Sequence, residues 1–211
     1  MTHYNIEIVS DVVCPWCYVG KNRLDIAIAQ HKTANPADTF STTWAPFYLN
    51  PDAPKQSTDK QALYESKFGA QRTSMMQARL SQIGEQIGIK FAYGGKTGNT
   101  RDAHRVIQLA KTKGEEMQTR VVVELFKAYF ERNDDITDHA VLQKAAVQGG
   151  LGEDETREWL GSDKGGPEVD REVEAAKRRF ISGVPNFTVN DKYEVQVCSS
   201  HRHASGMKRM Y

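Results

Sequence analysis

Cys14 and Cys17 enclose Pro15 and Trp16 in the segment IVSDVVCPWCYVGKNRL, and these are two of only three cysteines in the chain. A thiolate is both a nucleophile and a metal ligand, so a close pair has two chemistries open to it: thiol–disulfide exchange, or half of a zinc site. Exchange needs a first sulfur that is stabilised as thiolate and a second that sits within one turn to attack the mixed disulfide. A helix N-terminus meets the first need, because its free N–H groups and partial positive charge favour an anion. Pro15 fits a first helical turn without losing a hydrogen bond, and Trp16 adds apolar surface beside the sulfur. Cys14, at an exposed helix start, is therefore the expected nucleophile and Cys17 the resolving thiol. Zinc would need further ligands, for which Cys198, His201 and His203 are candidates, yet no second close pair exists.

The elements around the pair suit exchange. Tyr4 to Val9 alternates polar and apolar residues and reads as a strand that Ser10 and Asp11 close. Gly20, Leu24, Ala27 and Ile28 then fall near helical spacing, so a helix should begin at Cys14 and run to about His31, before the break at Asn35-Pro36. Thr39 to Phe47 is β-branched and aromatic and reads as a second strand.

From about Ala53 to Gly165 the pattern is helical throughout. Met76, Leu80, Ile83 and Ile87 make one apolar stripe, Ala103, Val106, Ile107 and Ala110 a second, and Met117, Val121, Leu125 and Ala128 a third. Thr137 or Asp138 can cap a further helix that stops at Gly149-Gly150. Met75, Met76 and the aromatic residues of this stretch read as bundle core. Glu168 to Phe180 then reads as a helix, Asn186 to Val189 as a strand, and Asn190-Asp191 as a turn into a last strand from Tyr193 to Val197. The expected division is a discontinuous α/β unit of residues 1–52 and 166–211 around an all-helical insertion of residues 53–165.

The 211 residues carry 28 Lys and Arg against 27 Asp and Glu, a net charge of +1 that leaves no footprint for nucleic acid or an anionic membrane. No stretch approaches the roughly 18 apolar residues of a membrane span, and the N-terminus lacks a basic flank followed by an apolar run. Three cysteines cannot form the disulfide framework of a small secreted domain. The expectation is a cytoplasmic protein with no membrane or nucleic-acid partner, a monomer or homodimer, holding no metal or organic cofactor.

Beyond the cysteine segment, NTRDAHR at Asn99 to Arg105 and ISGVPNFTVNDKY at Ile181 to Tyr193 follow in order. With these three landmarks, residues 1 to about 197 resemble the FrnE-like branch of the DsbA superfamily. The resemblance implies a thioredoxin-like fold with a helical domain inserted after the second strand, and a dithiol–disulfide oxidoreductase or isomerase. Its partners would be disulfide- or thiol-bearing proteins or small molecules, glutathione among them. It further implies a cis Val184-Pro185 bond in a loop facing the cysteines, with the exposed backbone of Val184 free to pair with an extended substrate. The helix start bearing Asn99, Thr100 and His104 would line the cleft, with His104 as a proton shuttle. Equally open from the residues alone is a plain helix cap at Asn99 or Thr100 followed by a polar helix face. Kappa-class glutathione transferases and hydroxychromene-carboxylate isomerases share this inserted architecture but usually carry serine where this chain has Cys14. They supply one alternative function, and a non-catalytic binding protein supplies another. The chain departs from its relatives after Val197: VQVCSSHRHASGMKRMY shows no closing amphipathic helix, which would uncover one face of the small sheet. Cys198 is then either an added redox thiol or a packing cysteine.

Overall fold

Residues 1–196 are described by a computed structural model. Strand β1 (His3–Ser10) leads through a tight turn into helix α1 (Pro15–Ala34), and the Asn35 amide closes that helix on the His31 carbonyl at 2.9 Å. Strand β2 (Thr39–Pro46) then returns parallel to β1, with Ile8 opposite Trp44. Parallel strands need a crossover of this length, and α1 supplies it.

The chain then leaves the sheet for a series of helices. Strand β3 (Thr58–Asp59) runs into α2 (Lys60–Phe68), whose first turn is capped by Asp59 accepting the Ala62 amide at 2.7 Å. Gly69 separates α2 from α3 (Ala70–Ile87), and a two-residue β4 (Lys96–Thr97) pairs antiparallel with β3. Next come α4 (Arg101–Lys111), α5 (Glu115–Phe130), α6 (His139–Gly149) and α7 (Glu153–Leu160). Of the two expected caps of α6, Thr137 and Asp138, the second serves: Asp138 accepts the Ala140 amide at 2.8 Å. Helix α8 (Gly166–Arg178) returns to the sheet, followed by β5 (Asn186–Val189) and β6 (Tyr193–Gln196). The hairpin turn holds Asn190 and Asp191 at φ 51° and 53°, left-handed values that these residue types tolerate and a type I′ hairpin needs.

The main sheet has the order β2-β1-β5-β6, with β5 antiparallel to both neighbours. This is a thioredoxin-like fold with a helical insertion. One apolar core runs from Ile8 and Val9 on the central strand through Trp44 to Leu125, Phe126 and Tyr129 on α5. The edge of β2 is closed by one side chain: buried Gln118 accepts the Trp44 amide and donates to the Trp44 carbonyl, both at 3.0 Å. Without it the strand would bury an unpaired donor and acceptor.

The inserted stretch is not helical throughout, as its periodicity implies. The β3–β4 pair interrupts it, and two-residue strands are too short to leave a periodic signal. On the far edge of the sheet Tyr193 and Val195 are exposed. Cys198, His201 and His203, and any closing element after β6, lie outside the described residues. Among those described, no helix is long and apolar enough to cross a membrane.

Candidate active site

Cys14 is the residue that caps α1. Its backbone is extended (φ −91°, ψ 110°), its amide donates to the Asp11 carbonyl at 3.0 Å, and Pro15 occupies the first turn. Cys17 lies one turn on, its amide donating to the Cys14 carbonyl at 3.1 Å. Both cysteines are free thiols. Cys17 has no exposed surface, and this burial raises its thiol well above the ordinary cysteine range; the hydrogen bond and charge of Cys14 push the same way. The Ser10 hydroxyl and the Asp11 backbone oppose that rise.

Cys14 is less open than a helix start implies. Only 4% of it is exposed, and its Sγ lies 3.5 Å from the Val184 carbonyl, to which it donates. The Val184-Pro185 bond is cis. Val184 also differs from the expectation of exposed backbone: it is buried, and its carbonyl already accepts the thiol. The reason lies in the fit of α1 against this loop. Gly20 has no side chain where a Cβ would stand 2.9 Å from Phe187 and 3.2 Å from Pro185, so helix and loop close tightly together.

Behind the cysteines lies a buried polar contact that spacing does not reveal. Asp11 is 1% exposed; its Oδ2 accepts the Leu49 amide at 2.8 Å, and its Oδ1 lies 3.4 Å from His104 Nε2. His104 is also buried, 3.1 Å from the Phe47 carbonyl. The helical insertion thus touches the turn that carries Cys14 through one imidazole.

A cavity of about 550 Å³ opens beside the pair, with Pro15 and Trp16 forming part of its wall. Met75, Met76, Leu80 and Phe91 face it from the insertion. Met75 and Met76 are therefore not bundle core: Met75 is exposed, because the face of α3 that carries them turns toward the cavity. Tyr64 and Lys60 on α2 also line it. Burial raises the Tyr64 phenol to about 12, with the charges of Cys14 and Asp11 adding to the rise. Lys60 is buried and is lowered to about 8 by the loss of solvent. Neither residue carries a sequence signal, since α2 is short and weakly patterned.

The family model for the DSBA-like thioredoxin domain matches residues 5–209. The chain belongs to this DsbA-like family. It is 26% identical over 193 residues to the uncharacterized protein YwbO of Bacillus subtilis, an alignment covering 89% of this chain and 87% of that protein. Its fold is similar to that of a probable DsbA oxidoreductase from Streptomyces coelicolor, with a TM-score of 0.81 and 26% identity over 92% of this chain and 83% of the other. A 2-hydroxychromene-2-carboxylate isomerase shares the fold at a TM-score of 0.68 and 16% identity, covering 91% and 88% of the two chains.

In this DsbA-like chain the NTRDAHR segment holds elements together. Asn99 donates to the Ala53 carbonyl at 3.2 Å and accepts the Arg101 amide at 2.9 Å, a capping role; Thr100 is buried at the start of α4. Neither lines the large cavity. Arg101 spans Asp163 and Asp170, while the Arg105 guanidinium donates to the carbonyls of Trp159, Ser162 and Lys164 and to Asp102. These contacts fasten α4 to α7 and α8. Of the three residues expected over the cleft, only His104 reaches the turn that bears the cysteines.

Proposed function

We propose that the chain is a dithiol–disulfide oxidoreductase in which Cys14 attacks and Cys17 resolves. The observation that carries this reading is the asymmetry of the pair: Cys14 at the helix cap facing the Val184 carbonyl, Cys17 wholly buried one turn behind with its proton held tightly. The Cys14 thiolate attacks one sulfur of a disulfide, forming a mixed disulfide and releasing one thiolate. Cys17 then loses its proton and attacks the Cys14 sulfur, which releases the second thiolate and leaves a Cys14–Cys17 disulfide. Two electrons pass to the substrate, and the reverse sequence oxidises a dithiol.

Pro15, Trp16, Val184 and Pro185 surround the reacting sulfur in this scheme. His104, beside Asp11, is an insertion group available to move a proton. The sequence landmarks support the FrnE-like branch of the family and a cytoplasmic setting, with protein or small-molecule disulfides, glutathione included, as substrates. The same reading keeps residues 1–52 and 166–211 as the redox unit and 53–165 as the insertion.

Trapping tests it. Cys17→Ser should accumulate a mixed disulfide through Cys14 after oxidative challenge and acid quenching, and Cys14→Ser should trap almost none. Mass spectrometry and non-reducing electrophoresis read the adducts. A glutathione transferase or isomerase would tolerate loss of Cys17, and a binding protein would trap nothing in either variant.

A further inference from the structure

Among the described residues, the cavity beside Pro15 and Trp16 is lined by Arg23, Lys60, Arg72 and Arg79 and by no carboxylate. Among the described residues these four cations enter no ion pair, whereas Arg101, Arg105 and Lys111 on neighbouring α4 are all paired. Lys60 is the most telling, because it is 4% exposed and its partners are neutral: the Tyr129 carbonyl at 3.0 Å and the Tyr129 ring, 4.3 Å from its centroid. A buried cation held by dipoles alone lacks the counter-charge that usually offsets lost solvation. The remaining wall is largely apolar, with Leu80, Ile83, Phe91 and Phe130 among its members. The volume, about 550 Å³, falls in the range of small-molecule sites, roughly 300 to 1,000 Å³. Such a wall fits an apolar body that ends in an anion.

Position adds a second constraint. Pro15 and Trp16 directly follow Cys14, of which only 4% is exposed, so a slender molecule reaches the sulfur more readily than a disulfide set in a folded protein. We propose that this cavity takes the apolar, carboxylate-bearing part of a low-molecular-weight disulfide whose sulfur reaches Cys14 across Pro15. The inference rests on the exchange reading above and names its substrate class. Cys14 displaces one carboxylate-bearing thiolate, Cys17 gives up its proton and displaces the second, and the protein pair is oxidised as the substrate is reduced to two thiols.

Two measurements test it. In the first, reduced protein reacts with dithiobis-nitrobenzoate, an anionic aryl disulfide, and with neutral dithiodipyridine, each rate divided by that of free mercaptoethanol. The anionic disulfide should be favoured by about tenfold, the worth of one charge-assisted hydrogen bond, and the preference should collapse in Lys60→Met and weaken in Arg79→Gln. Arg79 is exposed, so its replacement leaves the fold intact. No preference, or one that survives both substitutions, overturns the proposal. In the second, calorimetry compares naphthoate with naphthamide on the Cys14→Ser/Cys17→Ser protein, which lacks the exchanging pair. Selection of the carboxylate, lost in Lys60→Met, supports the anion site, and equal binding of the two overturns it. If wild-type protein reacts with neither disulfide while naphthoate is still selected, the exchange reading and the disulfide substrate fall and the anion site alone stands.

Discussion

Asp11 Oδ1 lies 3.4 Å from His104 Nε2, with both side chains buried where the turn before Cys14 meets the helical insertion. Among the described residues Asp11 Oδ1 has no hydrogen-bond partner, so this contact is its main compensation. His104→Ala should therefore cost about 1 to 3 kcal/mol, the usual penalty for leaving a buried polar group without its partner. Asp11→Asn should cost less, because it removes the charge and keeps an acceptor for the Leu49 amide. Urea denaturation of the two variants gives the comparison, and equal losses would show that the contact carries little energy.

Gly20 meets a different limit. Alanine is favoured over glycine within a helix by about 1 kcal/mol. Its methyl would stand 2.9 Å from Phe187 and 3.2 Å from Pro185, closer than these groups accept without moving. Overpacking costs about 1 to 3 kcal/mol, so Gly20→Ala should lower the melting temperature and alter exchange kinetics together. A more stable variant with unchanged kinetics would mean that the Pro185 loop yields freely.

These two positions show where sequence reading succeeds and where it stops. The strand, the cysteine pair and the helix behind it are legible because motif, alternation and helical period are local properties of residues 4–31. The antiparallel hairpin is legible for the same reason, through Asn190-Asp191. Asp11 reads only as the end of a strand, since nothing nearby announces that an imidazole from α4 will meet it. The near-burial of Cys14 is equally hidden, because a helix N-terminus defines a polarity and not what packs over it. Lys60 sits in a nine-residue helix whose pattern is too brief to assign a face. Met75 and Met76 read as core because helical spacing reports a shared face and not what that face meets.

Lys60 makes stability depend on pH in a definite direction. Burial lowers its pKa from 10.5 to about 8, so between those values the unfolded chain holds a proton that the folded chain has released. Stability then rises with pH across that window, by up to about 1.4 kcal/mol per unit, and the cost of the buried charge is fully present below it. Lys60→Met removes this slope. The stability of the variant minus that of the wild type should shrink from about pH 7 to about pH 10 in urea melts. Parallel curves would mean that the ammonium stays solvated.

The order in which the two thiols react is the most direct consequence of the pair's asymmetry. Cys14 has the small remaining exposure, whereas Cys17 has none and its thiol is raised by burial first and by Cys14 second. Near neutral pH iodoacetamide should label Cys14 well before Cys17, because only the thiolate reacts and access multiplies the effect. Cys14→Ser separates the two causes acting on Cys17. It removes the charge of the neighbouring thiol, leaves a hydroxyl able to hydrogen-bond in its place, and keeps burial, the larger cause. Cys17 in that variant should label faster than in the wild type and still more slowly than a cysteine in the urea-unfolded chain. Peptide mass spectrometry over a time course resolves both sites. Labelling of Cys17 ahead of Cys14 in the wild type would reverse the proposed roles, and free-cysteine rates at Cys17 in folded Cys14→Ser would show that burial does not hold its proton.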